Sequence, residues 1–114
     1  MAYASISCTQ KDRFVKKLTN NKTEFWDEYN SKTGHILGSF SFDNKGKCFY
    51  YTNKNGKKAK IYEGDLLYTH TWVHRGDSIL SINDFDNKIL RFTADTLILL
   101  NTRINDTMIL IKAK

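Results

Sequence analysis

Between residues 68 and 112 the chain repeats one unit: a run of about six β-branched, aromatic and aliphatic residues, then a cluster carrying Gly, Asn or Asp. The runs cover residues 68–74, 78–82, 88–93, 96–102 and 107–112. Connections this short can join only antiparallel neighbours, so the runs are expected to lie side by side in chain order as a β-meander. Proline is absent from all 114 residues, although average usage of about 5% would supply several. Every backbone N–H is therefore available to a strand ladder, which suits an uninterrupted meander.

The pattern continues upstream. Residues 23–30 place Phe25, Asp27 and Tyr29 on one face of an extended segment and Trp26 and Glu28 on the other. Residues 36–42 alternate Ile36, Gly38, Phe40 and Phe42, predicted to point inward, with Leu37, Ser39 and Ser41; Gly38 is expected to mark a bend. Residues 47–52 carry Cys48, Phe49, Tyr50 and Tyr51, and Asn55-Gly56, a pair that accepts positive φ, predicts a hairpin into a lysine-rich strand at 57–62. The total of about eight or nine strands is enough to close an all-β, up-and-down antiparallel barrel of about eight strands, which removes exposed edges. Ahead of it, Phe14 and Leu18 share one face of a predicted short helix. Residues 1–22 thus read as an N-terminal lead-in with that helix, and residues 23–114 as the barrel. Residues 97–100 and 108–111 are apolar on both faces, which predicts a cover on their outer side, with the helix as the candidate.

A chain of this length makes one domain with room for a real core. Its 40% hydrophobic and 26% charged residues are ordinary globular composition, and no apolar run approaches the roughly 18 residues of a spanning helix. The formal charge of +6 would attract phosphate or anionic lipid. Lys45, Lys47, Lys54, Lys57, Lys58 and Lys60 gather in one third of the chain, and a solvated surface explains a diffuse lysine excess equally well.

Catalytic chemistry finds little support. No nucleophile motif and no Gly-rich phosphate loop is present, and the adjacent carboxylates Asp84 with Asp86 and Asp27 with Glu28 fall at turn and strand positions where solvation accounts for them. His70 and His74 share a strand face but stand roughly 13 Å apart, too far for one metal ion. The chain therefore reads as non-enzymatic, with no cofactor and no metal expected. The tripeptide Arg75-Gly76-Asp77 and the sequons at Asn21 and Asn105 are common by chance in turns and receive no function.

Aromatic residues concentrate in the first two thirds of the chain, and an eight-stranded barrel has an interior that side chains just fill or that holds one small ligand. Trp26, Phe40, Phe42, Tyr50, His70 and Trp72 are the candidate ligand contacts, with a small apolar or amphipathic molecule expected between Phe40, Tyr50 and Trp72. The small residues ahead of Cys8 match the cleavage box of bacterial lipoproteins without its apolar upstream region. Either the chain begins inside an export signal and Cys8 is a lipid-attachment site that tethers it to a membrane, or the match is coincidental. In the tethered case Cys48 is left as a lone, buried thiol; otherwise Cys8 and Cys48 could pair.

Over roughly residues 25–112 the chain resembles the small lipocalin-like domains of bacterial cell-envelope proteins. The resemblance rests on the early aromatic strand with Trp26, the mid-chain strand with Trp72, the run from Asp77 to Ile82, the strand Ile89–Thr93, and the Asp95–Leu100 segment before a final apolar strand. Glu24 stands where the larger lipocalins carry a glycine two residues before the tryptophan. The resemblance implies a ligand-binding barrel located in the cell envelope, periplasmic or attached to the outer membrane. An alternative from another class is a barrel that binds single-stranded nucleic acid, stacking bases on Phe49, Tyr51 and Tyr62 amid Lys47, Lys57, Lys58 and Lys60. A protein-interaction or inhibitor module is a third reading.

Overall fold

The first and last strands of the sheet pair with each other and close it. In the computed structural model, which describes residues 13–54, 57–60, 62–63, 66–67, 70–76, 78–83 and 85–113, a helix α1 at residues 13–19 precedes eleven strands. These are β1 Thr23–Asn30, β2 His35–Asp43, β3 Lys47–Lys54, β4 Lys57–Lys60, β5 Tyr62–Glu63, β6 Leu66–Leu67, β7 His70–Arg75, β8 Ile79–Ile82, β9 Phe85–Phe92, β10 Thr96–Asn101 and β11 Asp106–Lys112. β1 lies antiparallel to β11 from Trp26↔Lys112 to Tyr29↔Ile109, and eight strands complete the ring β1-β2-β3-β7-β8-β9-β10-β11. The expected all-β barrel of about eight antiparallel strands is what the chain forms.

One part of the chain leaves the chain-order meander. β3 pairs with β7 only through Lys47↔Thr71 and Cys48↔His70, while its second half, Tyr51 to Lys54, pairs with β4. The lysine-rich strand predicted at 57–62 is thus the short β4, beside the ring rather than within it. The brief β3–β7 seam is reinforced at its lower end, where the Trp72 N–H donates to the Gly46 carbonyl at 3.0 Å. Gly46 reaches that position with φ +89°, and the Asp43 carboxylate accepts from the Lys45 and Lys47 amides at 2.9 Å each to hold the hairpin.

Strand alternation divides inner from outer residues as the period-two pattern predicts. Trp26, Phe42, Cys48, Leu80, Leu97, Leu99 and Leu110 are fully buried and form the core with Phe14, Leu18, Trp72 and Ile82. Ile36 is the exception among the inward expectations. A register shift between Glu28 and Tyr29 pairs Ile36 with Tyr29 and Gly38 with Glu28, so Leu37 is the extra residue and Ile36 turns outward. Ser39 and Ser41 alternate with Phe40 and Phe42 and so lie on the outer side, yet they are buried. The Phe25 and Tyr51 rings, 5.2 Å apart, close over this part of the sheet, and the Ser39 hydroxyl donates to Asp27 at 2.5 Å.

α1 does not cover the outside of β10 and β11. Its Phe14 ring stacks on His74 at 3.7 Å and meets Phe92 edge-on at 5.1 Å, both inward-facing residues, so the helix seals the lower end of the cylinder. The outward Ile98, Leu100, Ile109 and Ile111 remain half-buried. The helix ends where the Thr19 hydroxyl bonds back to the Val15 carbonyl at 2.6 Å and Asn20 and Asn21 take left-handed φ of 54° and 60°, a conformation Asn tolerates. The Trp26 indole N–H then donates to the Leu18 carbonyl at 2.8 Å, tying helix to barrel.

Trp26→Phe removes that donor and leaves a buried carbonyl short of a partner. The variant is expected to lose about 1–3 kcal/mol of stability, read as a lower urea midpoint at unchanged slope. An unaltered midpoint would show that the helix is held by other contacts.

Candidate functional site

The barrel interior has two unlike halves. In the lower half the Trp72 indole N–H donates to the Asp43 carbonyl at 2.8 Å and the Trp26 indole to Leu18, so both polar tips are satisfied while the rings are enclosed. Phe42 meets Trp72 edge-on at 6.5 Å and Phe40 at 5.8 Å. Phe42 therefore fills the space between Phe40 and Trp72 where sequence patterning placed a ligand. Trp26, Phe42 and Trp72 belong to the core. Of the other candidates, the His70 side chain and all of Cys8 lie outside the described residues.

The upper half is different. Phe40 and Tyr50 face inward and touch edge to face at 4.8 Å, yet both are only half-buried, as are Glu28 and Met108 on the same inner side. The Tyr50 hydroxyl donates to Glu28 Oε1 at 2.7 Å. Gly38 makes this possible, because a Cβ at that position would overlap the Tyr50 ring and the Tyr51 carbonyl. Burial, then the hydrogen bond to Glu28 and its negative charge, push the Tyr50 phenol well above its ordinary value, so the phenol stays protonated and Glu28 stays the acceptor.

Next to this pair the wall itself parts. β1–β11 pairing ends at Tyr29↔Ile109, whereas the β1–β2 hairpin continues to Asn30↔His35 and the β10–β11 hairpin to Asn101↔Asp106. The two hairpins diverge above the seam and leave a cleft of about 230 Å³ lined by Glu28, Tyr29, Lys32, Leu37, Asp106 and Met108, among others. Patterning gave Glu28, Gly38, Leu37 and Met108 no place at a binding site. One signal was present: Glu28 is in phase with Trp26, a charge on the inner face of a strand.

Cys48 is enclosed on the inner face of β3, and burial, followed by the nearby Asp43 charge, pushes its thiol up to about 12. It has the inertness of a small core residue rather than the reactivity of a nucleophile. Among the described residues, no three His, Cys, Asp or Glu side chains converge as metal ligands. No described helix is long and apolar enough to cross a membrane. On the outer wall Phe49 and Tyr51 face out with Lys47, and register sets Lys60 opposite Tyr51. Tyr51 packs against Phe25 over the buried serines, so part of that aromatic surface is already engaged. Comparison with protein-family models, curated proteins and solved structures found no match for the chain.

Cys48 and Tyr50 are neutral when protonated and hold their protons more tightly in the folded chain. Their contribution to stability is therefore complete below their unfolded values and declines as pH rises above about 9 for the thiol and about 10 for the phenol. In urea titrations the loss attributable to Cys48 is expected to approach about 1 kcal/mol per pH unit, with a smaller share from the half-exposed Tyr50. A Cys48→Ala/Tyr50→Phe double variant that loses stability as steeply as the parent across this range would contradict the assignment.

Proposed function

We propose that this protein is a non-enzymatic, lipocalin-like barrel that holds a small amphipathic molecule in its upper mouth. The observation that supports the reading is the contrast within one interior: Trp26 and Phe42 are 0% exposed below, while inward-facing Phe40, Tyr50, Met108 and Glu28 are only partly buried above. Side chains that face a barrel axis yet keep some exposure offer a mixed apolar and polar surface, the usual character of a small-molecule site. Phe40 and Met108 supply apolar area, and the Tyr50–Glu28 pair supplies orientation. The adjoining cleft, which shares Glu28 and Met108 with the mouth but is not lined by Phe40 or Tyr50, has about 230 Å³, below the roughly 300–1,000 Å³ of drug-sized pockets, which suits one ring or a short alkyl chain.

Titration of ¹⁵N-labelled protein with 2-phenylethanol tests the reading. Amides of Glu28, Gly38, Phe40, Tyr50 and Met108 are expected to shift together with a Kd on the order of 1 mM, reasonable for about nine non-hydrogen atoms. Phe40→Ala should weaken binding several-fold. Shifts confined to the lower half, or none at all, would remove the mouth as a binding site.

A further inference from the structure

We infer that the molecule held in the mouth carries a cationic group, an ammonium, which Glu28 receives; this inference rests on the mouth reading above. Three polar side chains that face the interior elsewhere, Trp26, Trp72 and Asn87, are answered from within the fold. Both tryptophan N–H groups reach carbonyls, and the Asn87 amide donates to the Leu80 and Phe85 carbonyls at 3.2 and 3.0 Å. Glu28 is not matched in the same way. Its one described polar partner is the Tyr50 hydroxyl, a neutral donor that occupies one of about four acceptor positions on the carboxylate.

Its cross-strand neighbours cannot neutralise it, since Gly38 stands opposite on β2 and Leu110 opposite on β11. The charges lining the cleft are Glu28, Asp106 and Lys32, one net negative charge in a protein whose formal charge is +6. The cleft is thus locally inverted in sign relative to the whole chain. One phenol, that of Tyr50, is hydrogen-bonded to the carboxylate, and Tyr29, the next residue on β1 and on its outer face, lines the same cleft. A carboxylate with open acceptor positions at a cleft of net negative charge is the chemistry that takes an alkylammonium, through a charge-assisted hydrogen bond. Leu37 and Met108 in the same lining accept the apolar remainder of the molecule.

Three probes of matched shape separate this inference from the reading beneath it: 2-phenylethylamine, 2-phenylethanol and phenylacetate, each titrated at neutral pH with the mouth amides as readout. The amine is expected to bind about three- to fivefold more tightly than the alcohol, as befits a half-exposed ion pair, and the carboxylate more weakly than either. Added salt should erode the amine's advantage, and Glu28→Gln, which still accepts from Tyr50, should bring the amine to the alcohol's affinity. Equal binding of amine and alcohol, tighter binding of phenylacetate, or an amine preference that survives Glu28→Gln overturns the cationic assignment while the mouth stands. Failure of all three probes to move the mouth amides overturns the mouth reading and this inference together.

Discussion

The hydrogen bond from the Trp26 indole to the Leu18 carbonyl fixes the register of two parts of the molecule that the Phe14 ring contacts also hold together. Trp26 sits on β1, the strand that closes the ring against β11, and its partner is the last turn of the helix that seals the ring's lower end. The indole has to point inward for closure to bury it, and its N–H then needs an acceptor inside a space where water is excluded. The helix terminus supplies a carbonyl that has no intrahelical partner of its own. Each side thus removes a polar group that the other could not have left buried, and Lys112, 5.4 Å above the Trp26 ring, covers the remaining face.

An eight-stranded cylinder offers an interior of nearly fixed cross-section, so large side chains at one level limit what fits at the next. In this chain the helix adds Phe14 and Leu18 to a lower level that already contains both tryptophans and Phe42. The upper level receives no comparable contribution from the described residues and is lined instead by Phe40, Tyr50, Glu28 and Met108. The same closure that packs one end leaves the other less filled. Divergence of the β1–β2 and β10–β11 hairpins has a related origin, because turns at 31–34 and 102–105 extend past the last closing pair and nothing in the ladder draws them together.

Period-two patterning made the strands legible from sequence, and for Phe40 and Phe42 their inward phase as well, whereas residues 97–100, apolar on both faces, carry no phase of their own. What it could not reach was set by closure. Pairing of β3 with β7 depends on how far the ring must shear to shut, and the choice of His74 rather than the outer wall as the partner of Phe14 depends on where the open end falls. Ile36 takes the face opposite to the one expected because one extra residue at Leu37 reverses the alternation; Gly38 marks a bend there, but alternation alone does not place the extra residue. The upper mouth was half visible: Phe40 and Tyr50 followed from aromatic content, whereas the cleft follows from where two hairpins stop pairing.

Gly38 shows how a local sequence choice determines chemistry elsewhere. Read as a bend, it explains only the path of β2. In the barrel it clears the space across which the Tyr50 ring lies, and that ring carries a hydroxyl to Glu28 on the far side of β2. With a methyl group at 38 the ring would have to leave, and Glu28 would lose the donor that steadies it at the mouth. The position of one carboxylate on β1 is therefore conditional on a missing side chain on β2 and a phenol on β3, three consecutive strands whose register is already constrained by the hairpins that join them.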